Sequence, residues 1–223
     1  WQLGKVSPWL VLLLSLGLLP WLLPAPRWRW LLGRRSGIVL VAAAMLLHLV
    51  ALRGDRLLQV HDGDQQWWLL RHGGRGALIS RRSDGLGCNR AGQLALGFGL
   101  QRYDWVLLLD PVPPEQPSCW ARLSSTVLAG QSGTPALLPG QRLSSPGLAV
   151  MPLTPDSMAM QLRAGRRQWT LLPDRQSLWS WQAAHSGAAA PLPSSNEAIV
   201  LAFRPDRRDL HALPRGVRAR LWM

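Results

Sequence analysis

Acidic residues that follow apolar segments are the candidates for catalysis in this chain. Asp110 and Glu115 come after the apolar segment Trp105–Leu109, and Asp174 comes after Gln168–Leu172. Together these carboxylates would form an all-oxygen site, which suits Mg²⁺ or Mn²⁺ rather than zinc. The alternative is that the three carboxylates are structural, with Asp110 as a strand-end cap, Glu115 in a solvated loop and Asp174 in a turn. We favour the structural interpretation, because catalysis by a few carboxylates requires them to converge on the metal.

The sequence offers little for a zinc site. Zinc in proteins usually takes several histidines or cysteines at short spacings. Cys88 and Cys119 lie far apart without a CxxC pattern, and no other ligand is spaced near them. The two cysteines are interpreted as small, partly buried residues. Whether they pair in an oxidising compartment is left open.

Arginine and tryptophan give the chain its strongest compositional bias. The formal net charge is +13 with Lys5 as the only lysine, and 13 tryptophans stand beside one tyrosine and two phenylalanines. Arginines interspersed with aromatic rings bind the phosphates and bases of single strands. The alternatives are a solvated or lipid-facing surface for the arginines and core positions for the tryptophans. The candidates for nucleic-acid binding are Arg166, Arg167, Arg175, Trp179, Trp181, Arg204, Arg207 and Arg208.

Two apolar segments precede these residues. The segments at about 8–24 and 37–52 contain no Asp, Glu, Lys or Arg. Each is near the short end of the roughly 17–25 residues that a membrane helix needs. We therefore predict a transmembrane helical hairpin over residues 1–53, the alternative being two buried core helices.

The loop between the apolar segments sets the orientation of the predicted hairpin. It carries Arg27, Arg29, Arg34 and Arg35 and no acidic residue. The positive-inside rule places such a loop in the cytoplasm, so everything after Arg53 is expected outside it. The prediction is a multi-pass inner-membrane protein with an extracytoplasmic domain. Because the chain begins at Trp1 rather than at a methionine, we treat it as the tail of a longer protein.

After Arg53 the pattern changes to short apolar runs broken by Asp-Gly and Gly-Gly, which is typical of strands and tight turns. Such an order of strands and helices indicates a layered α/β or α+β domain. We see no internal repeat. The later strands are predicted at Leu148–Leu153, Ala159–Arg163, Gln168–Leu172 and Ala198–Phe203, and the helices at Asn89–Leu100, Ser118–Leu128 and Gln176–Ala184.

The order of these parts resembles the C-terminal end of the ComEC family of DNA-uptake membrane proteins. The family motif D-V-G-Q-G-D-A is similar to Gln59–Gln65, which keeps Val60, Gly63 and Asp64. The family strand L-D-L-L-I-L-T-H-x-H-x-D-H aligns with Tyr103–Glu115. The strand and Asp104 match, but the ligand positions hold Asp110, Val112, Pro114 and Glu115.

Two further family motifs lie near the C-terminus. A strand ending in L-L-T-G-D is similar to Leu171–Asp174, which keeps the acid that would bridge two metals. The closing H-H-G-S motif is replaced by Phe203–Asp206. The resemblance implies Asp64, Asp110 and Asp174 as the metal-ligand candidates. The family would suggest zinc or manganese, but the ligands are missing, so we expect no cofactor.

The resemblance also implies a fold and a function. Residues 55–206 are expected to form a divergent metallo-β-lactamase-like domain with αββα layers, followed by a basic tail at 207–223. The domain is expected to guide single-stranded DNA during natural transformation rather than to catalyse a reaction. The alternatives are a metal-dependent nuclease that degrades the strand not imported, and a structural periplasmic cap. The expected partners are single-stranded DNA, membrane lipid, the membrane helices of the N-terminal portion and other DNA-uptake components.

Overall fold

A computed structural model describes residues 11–16, 18, 34–62, 65–113, 117–130, 136–154, 159–185, 197–211 and 218–221. The chain divides into a small unit, residues 1–54 with 97–99, and a larger unit, residues 55–96 with 100–223.

The small unit is helical where it is described. Residues 11–16 and 18 are helical, and α1 spans Arg34–Arg53, which confirms a helix over the second apolar segment. The rest of the first segment, and Arg27 and Arg29, lie outside the described residues. Apolar side chains of α1 such as Val39 and Leu46 are exposed. Within the described ranges, no helix combines the length and hydropathy needed to cross a membrane. The membrane hairpin therefore stays a prediction.

The larger unit begins with a mixed sheet in the order β1-β2-β3-β4-β5. Strands β1, β2 and β3 pair antiparallel, and β3, β4 and β5 pair parallel. Helix α2 connects β3 to β4, and α3 connects β4 to β5. The bounds are β1 Arg56–Asp62, β2 Gln65–His72, β3 Arg75–Ser80, α2 Gly85–Gly97, β4 Val106–Leu108, α3 Pro117–Leu123 and β5 Val127–Ala129.

The second sheet has the order β11-β10-β9-β8-β7-β6. Strands β6 to β9 pair antiparallel, and β9, β10 and β11 pair parallel. Helix α4 connects β9 to β10, and α5 connects β10 to β11. The bounds are β6 Leu143–Ser145, β7 Leu148–Pro152, β8 Met160–Ala164, β9 Arg167–Leu172, α4 Arg175–His185, β10 Glu197–Leu201, α5 Arg207–His211 and β11 Arg218–Leu221.

The described elements of the two sheets follow the same order. In each half an antiparallel meander leads into a helix, a parallel strand, a second helix and a last parallel strand. The sequence shows no repeat, so the halves share a topology without sharing residues. The larger unit is an α/β domain with two mixed sheets, as expected. Its relationship to metallo-β-lactamases remains a prediction.

The main core lies between the sheets. Trp68, Trp105 and Ile79 of the first sheet are in one apolar cluster with Leu162 and Leu171 of the second. Side chains alternate across a strand, so the neighbouring residues face outward. On the outer face of the second sheet, Leu172, Ile199 and Leu201 pack with Leu178 and Trp181 of α4. Burial of Trp67, Trp68, Trp105 and Trp120 confirms that many tryptophans fill the core.

Parts of the predicted layout are wrong. Residues 207–221 are not a separate tail, because α5 and β11 lie there and β11 extends the second sheet. The helix expected over Ser118–Leu128 ends at Leu123, and β5 follows it. Helix α2 starts at Gly85 rather than Asn89, because Asp84 caps it at that point.

The cysteines pair, which answers the question that the sequence left open. The Cys88–Cys119 disulfide joins α2 to α3. These helices follow β3 and β4, so the disulfide ties together the two crossovers of the first sheet.

Candidate nucleic-acid interface at the carboxyl ends of the parallel strands

Polar residues collect where the parallel strands end. Carboxyl ends of parallel strands meet at one edge of a sheet, and ligands of open α/β sheets bind there. We call this region the carboxyl edge and define it as residues 81–84, 109–110, 173–175 and 202–208. A contact between Arg81 Nη2 and Asp174 Oδ2 at 3.0 Å shows that the ends of β3 and β9 lie together. The edge therefore spans both sheets.

Aspartates cap the N-termini of α2 and α4, which begin at this edge. Asp84 Oδ1 accepts a hydrogen bond from the Gly87 N–H at 2.8 Å, and Asp174 Oδ1 accepts one from the Ser177 N–H at 2.8 Å. Both are N-cap contacts, which stabilise a helix by about 1 kcal/mol each. At α5 the direction is reversed, since the Asp206 N–H donates to Asp209 Oδ2 at 2.8 Å.

Asp174 is engaged at both carboxylate oxygens. One oxygen caps α4 through Ser177, and the other receives the guanidinium of Arg81. A metal at this carboxylate would have to displace a cation and a helix cap. The geometry therefore corresponds to the structural interpretation of Asp174, a cap at the turn after β9, rather than to a catalytic or metal-bridging role.

Of the remaining acidic candidates, only Asp110 lies within the described residues. Asp110 follows β4 and is exposed, while Asp64 and Glu115 lie outside the described residues. Among the described residues no group of histidine, cysteine, aspartate and glutamate is placed to hold a metal ion.

The arginines closest to the strand ends form ion pairs with aspartates. Arg82 Nε lies 2.5 Å from Asp84 Oδ2. Arg175 contacts both Asp206 at 2.8 Å and Asp209 at 3.1 Å, so it bridges the start of α4 to α5. Arg175 was a candidate for nucleic-acid binding, but its guanidinium is already held by these carboxylates. Its main role is to join the two helices.

Three other arginine candidates for nucleic-acid binding are exposed at this edge, and one tryptophan candidate is exposed on α4. Arg204, Arg207 and Arg208 are exposed around the start of α5. Trp179 on α4 is 59% exposed, whereas Trp181 is 2% exposed and packs against the sheet. Trp181 is therefore wrong as a stacking platform. The reason is helical spacing, because Trp181 lies three residues after buried Leu178 and shares its inward face.

Arg166 and Arg167 lie at the opposite end of β9 from Arg175. They sit in the β8–β9 turn at the amino end of β9, whereas Arg175 follows its carboxyl end. A strand of this length separates the two ends by about 20 Å. The eight candidates therefore do not form one continuous face.

The end that holds Arg166 and Arg167 contains a cluster that the sequence did not reveal. We call it the turn edge and define it as residues 55–56, 71–75, 104, 145–147 and 165–167. The Nδ1–H of His72 donates to Asp55 Oδ1 at 2.5 Å, and the Arg166 N–H donates to Asp55 Oδ2 at 3.3 Å. Gly147 and Gly165, both at positive φ, lie against the His72 ring and the Asp55 carboxylate. A Cβ at either glycine would collide with these groups.

Asp104 forms a second junction at the turn edge. Its Oδ2 accepts hydrogen bonds from Arg75 Nε at 2.7 Å and from Ser145 Oγ at 2.8 Å. The sequence signals were an Asp before the central strand and a Gly-Gly pair after His72. Only the fold shows that Asp104 meets Ser145 and that His72 lies against Gly147 and Gly165, because these partners belong to the second sheet.

The charges of the turn edge shift the pKa values of its members. Partial burial raises the pKa of Asp55, but the bonds from His72 and the Arg166 N–H and the charge of Arg167 outweigh it, so the pKa lies below its ordinary value. Burial and the nearby charge of Arg56 lower the pKa of Arg71, which is 5% exposed.

Comparison with known proteins does not assign this chain to a family. A scan of protein-family models finds no match to the chain, and a search of curated protein sequences finds none either. The resemblance to the ComEC family therefore rests on the order of segments and on the motifs quoted above.

Proposed function

We propose that this chain is the C-terminal portion of a ComEC-like inner-membrane protein for DNA uptake, whose extracytoplasmic domain guides single-stranded DNA without catalysis. The observation that carries the proposal is the Arg81–Asp174 ion pair at the carboxyl edge. The resemblance assigns the Asp174 position to a carboxylate that bridges metals. Here the guanidinium of Arg81 contacts this carboxylate, where the family would place a metal ion. The carboxyl edge thus presents aspartates that are paired with arginines, together with further exposed arginines.

The exposed groups of the carboxyl edge suit a single strand. The ion pairs there use Arg81, Arg82 and Arg175 to neutralise aspartates. Arg204, Arg207 and Arg208 then add positive charge, which binds phosphates by releasing counterions. The exposed ring of Trp179 on α4 provides a face on which a base can stack, a contact that contributes about 1–3 kcal/mol per base.

Features elsewhere in the chain support the fold and the location in this proposal. Two mixed sheets, with α4 packed on the outer face of the second, agree with the αββα layers implied by the resemblance. A disulfide between α2 and α3 suits an oxidising, extracytoplasmic compartment. The exposed apolar side chains of α1, with the apolar residues before it, suit contact with lipid or with other membrane helices.

The proposal is tested by the affinity of the full chain, purified in detergent, for a fluorescently labelled single-stranded oligonucleotide. The test variant replaces Arg204, Arg207 and Arg208 by Gln. The matched control replaces Arg90, Arg102 and Arg122, exposed arginines on or beside α2 and α3, by Gln and so removes the same charge.

We expect the test variant to lower the salt dependence of log K by about 2, since each single-strand phosphate contact contributes about 0.7 to the slope. The control should keep the wild-type slope. Equal losses in both variants would show only a general charge effect. That outcome, or no binding by the wild type, would contradict the proposal.

A further inference from the structure

The turn edge is a rigid surface built from both sheets. Asp55, the first residue of the larger unit, contacts His72 in the β2–β3 turn and the N–H of Arg166 in the β8–β9 turn. The Gly165 N–H donates to the Gly147 carbonyl at 2.7 Å, which ties the β8–β9 turn to the β6–β7 turn. These contacts fix the positions of the turns relative to one another.

Positive charge points outward from this surface. Arg56, Arg75, Arg166 and Arg167 are exposed. The acids of the turn edge, Asp55 and Asp104, both accept hydrogen bonds from within it. Asp104 compensates the charge of Arg75, so the positive charge presented to solvent is that of Arg56, Arg166 and Arg167.

The chain enters the larger unit at this surface. Helix α1 ends at Arg53, and only Gly54 separates that residue from Asp55. Two residues of extended chain span at most about 7 Å. If α1 lies in a bilayer, as the proposed function requires, the turn edge cannot be far from the lipid headgroups. The carboxyl edge is at the other ends of the same strands.

We propose that the turn edge docks on anionic phospholipid headgroups through Arg56, Arg166 and Arg167. This inference rests on the membrane placement in the proposed function. Basic residues close to an anionic leaflet strengthen association about fivefold each. Docking would hold the carboxyl edge away from the bilayer and open to an incoming strand.

The chemistry of the turn edge favours lipid over a single strand. None of the residues that define it is a tryptophan, tyrosine or phenylalanine, and single-strand sites combine positive charge with aromatic stacking. Its arginines lie on short, tight turns at the end of the domain. That arrangement suits a flat array of phosphate headgroups.

The test uses the full chain reconstituted in nanodiscs of phosphatidylcholine, with or without roughly one third phosphatidylglycerol. Hydrogen exchange is measured at the amides of residues 73–76 and 165–167, and at 204–208 for comparison. A test variant carries Arg166→Gln and Arg167→Gln. A matched variant carries Arg207→Gln and Arg208→Gln at the opposite end.

We expect slower exchange at the turns in anionic discs only, and loss of this protection in about 1 M NaCl, where the Debye length is about 3 Å. Arg166→Gln with Arg167→Gln should weaken docking about 25-fold, from fivefold per arginine. Arg207→Gln with Arg208→Gln should leave it unchanged.

Retention in the discs without protection of the turns would overturn the docking proposal alone. Failure of the chain to remain in either disc would instead overturn the membrane placement. Protection of the turns by an added single strand, and not by anionic lipid, would identify the turn edge as a nucleic-acid site and overturn the lipid proposal.

Discussion

The two halves of the domain share a topology but tie their helices together differently. In the first half, the Cys88–Cys119 disulfide joins α2 to α3. In the second half, Arg175 at the start of α4 contacts Asp206 and Asp209 at α5. A covalent bond in one half and a set of ion pairs in the other thus each join the two helices that connect the parallel strands. We therefore expect the contact between the helices of the first half to be lost in reductant, and that of the second half to be weakened by high salt.

The second half also leaves its strand ends more open to a ligand. The ion pairs of Arg175 lie among exposed arginines at the carboxyl edge. The disulfide of the first half lies between two helices instead, and Cys88 is fully buried. We therefore expect the second half to contribute most of any nucleic-acid surface, and the first half to act mainly as support.

The largest effect is expected from breaking the disulfide. Replacing Cys88 and Cys119, which lie 31 residues apart, by Ser should lower the free energy of unfolding by about 3.7 kcal/mol, from the loop-closure entropy of a loop of that length. Urea unfolding followed by tryptophan fluorescence measures it, and a reductant should reproduce the loss in the wild type. An unchanged midpoint in reductant would mean that the disulfide does not stabilise the first half.

Breaking the ion pairs of the second half should cost less. Arg175→Gln leaves Asp209, which is 5% exposed, without its guanidinium partner. We expect a loss of about 1–2 kcal/mol, below that of a fully buried pair because Arg175 is partly exposed. The loss should shrink in about 1 M NaCl, where exposed pairs are screened.

The control for this change is Arg204→Gln at the same edge, which should shift the unfolding midpoint little. If both substitutions destabilise equally, Arg175 has no special role between α4 and α5. A reductant should not alter the effect of Arg175→Gln.

Matched helix caps allow a smaller comparison of the halves. Asp84→Ala and Asp174→Ala each remove an N-cap and should cost about 1 kcal/mol in the free energy of unfolding. Asp174→Asn keeps a capping oxygen and loses only the charge that pairs with Arg81, so it should cost less than about 0.5 kcal/mol. Chemical denaturation of the three variants side by side checks the order, and an Asn variant as unstable as the Ala variant would contradict it.

The smallest effect is expected at a contact between the halves, the Asp55 carboxylate with His72 and the Arg166 N–H. Because the pKa of Asp55 is lowered in the folded chain, its stabilising contribution is complete above the unfolded value of about 3.9 and is lost as the pH falls below it. The stability difference between wild type and Asp55→Asn should therefore narrow below about pH 4. Urea midpoints from pH 6 to pH 3 measure it, and a constant difference would argue against this contact.

Local sequence patterns predicted much of the fold. The strands expected at Leu148–Leu153 and Gln168–Leu172 appear as β7 and β9 within a residue of those bounds, because a glycine-containing turn precedes each strand. Helix α4 likewise appears where a helix was expected. These elements depend on residues close together in the chain.

Long-range pairings were not predictable in the same way. The Arg81–Asp174 ion pair and the bond from the Arg166 N–H to Asp55 each join the two sheets, so they form only after the sheets assemble. The repeated topology was hidden because it is carried by element order and not by shared residues. Trp179 and Trp181 are the same residue type, two positions apart in the sequence. They differ only in the face of α4 on which each lies, so that Trp179 is exposed and Trp181 is buried.

The proposed function requires the carboxyl edge to bind a single strand without a metal. This requirement is tested by the affinity of the purified full chain for a labelled single-stranded oligonucleotide in EDTA and again in Mn²⁺, with the length of the strand checked afterwards. We expect equal, salt-sensitive binding under both conditions and an intact strand. Binding that requires Mn²⁺, together with a shortened strand, would contradict it and restore the hydrolase alternative.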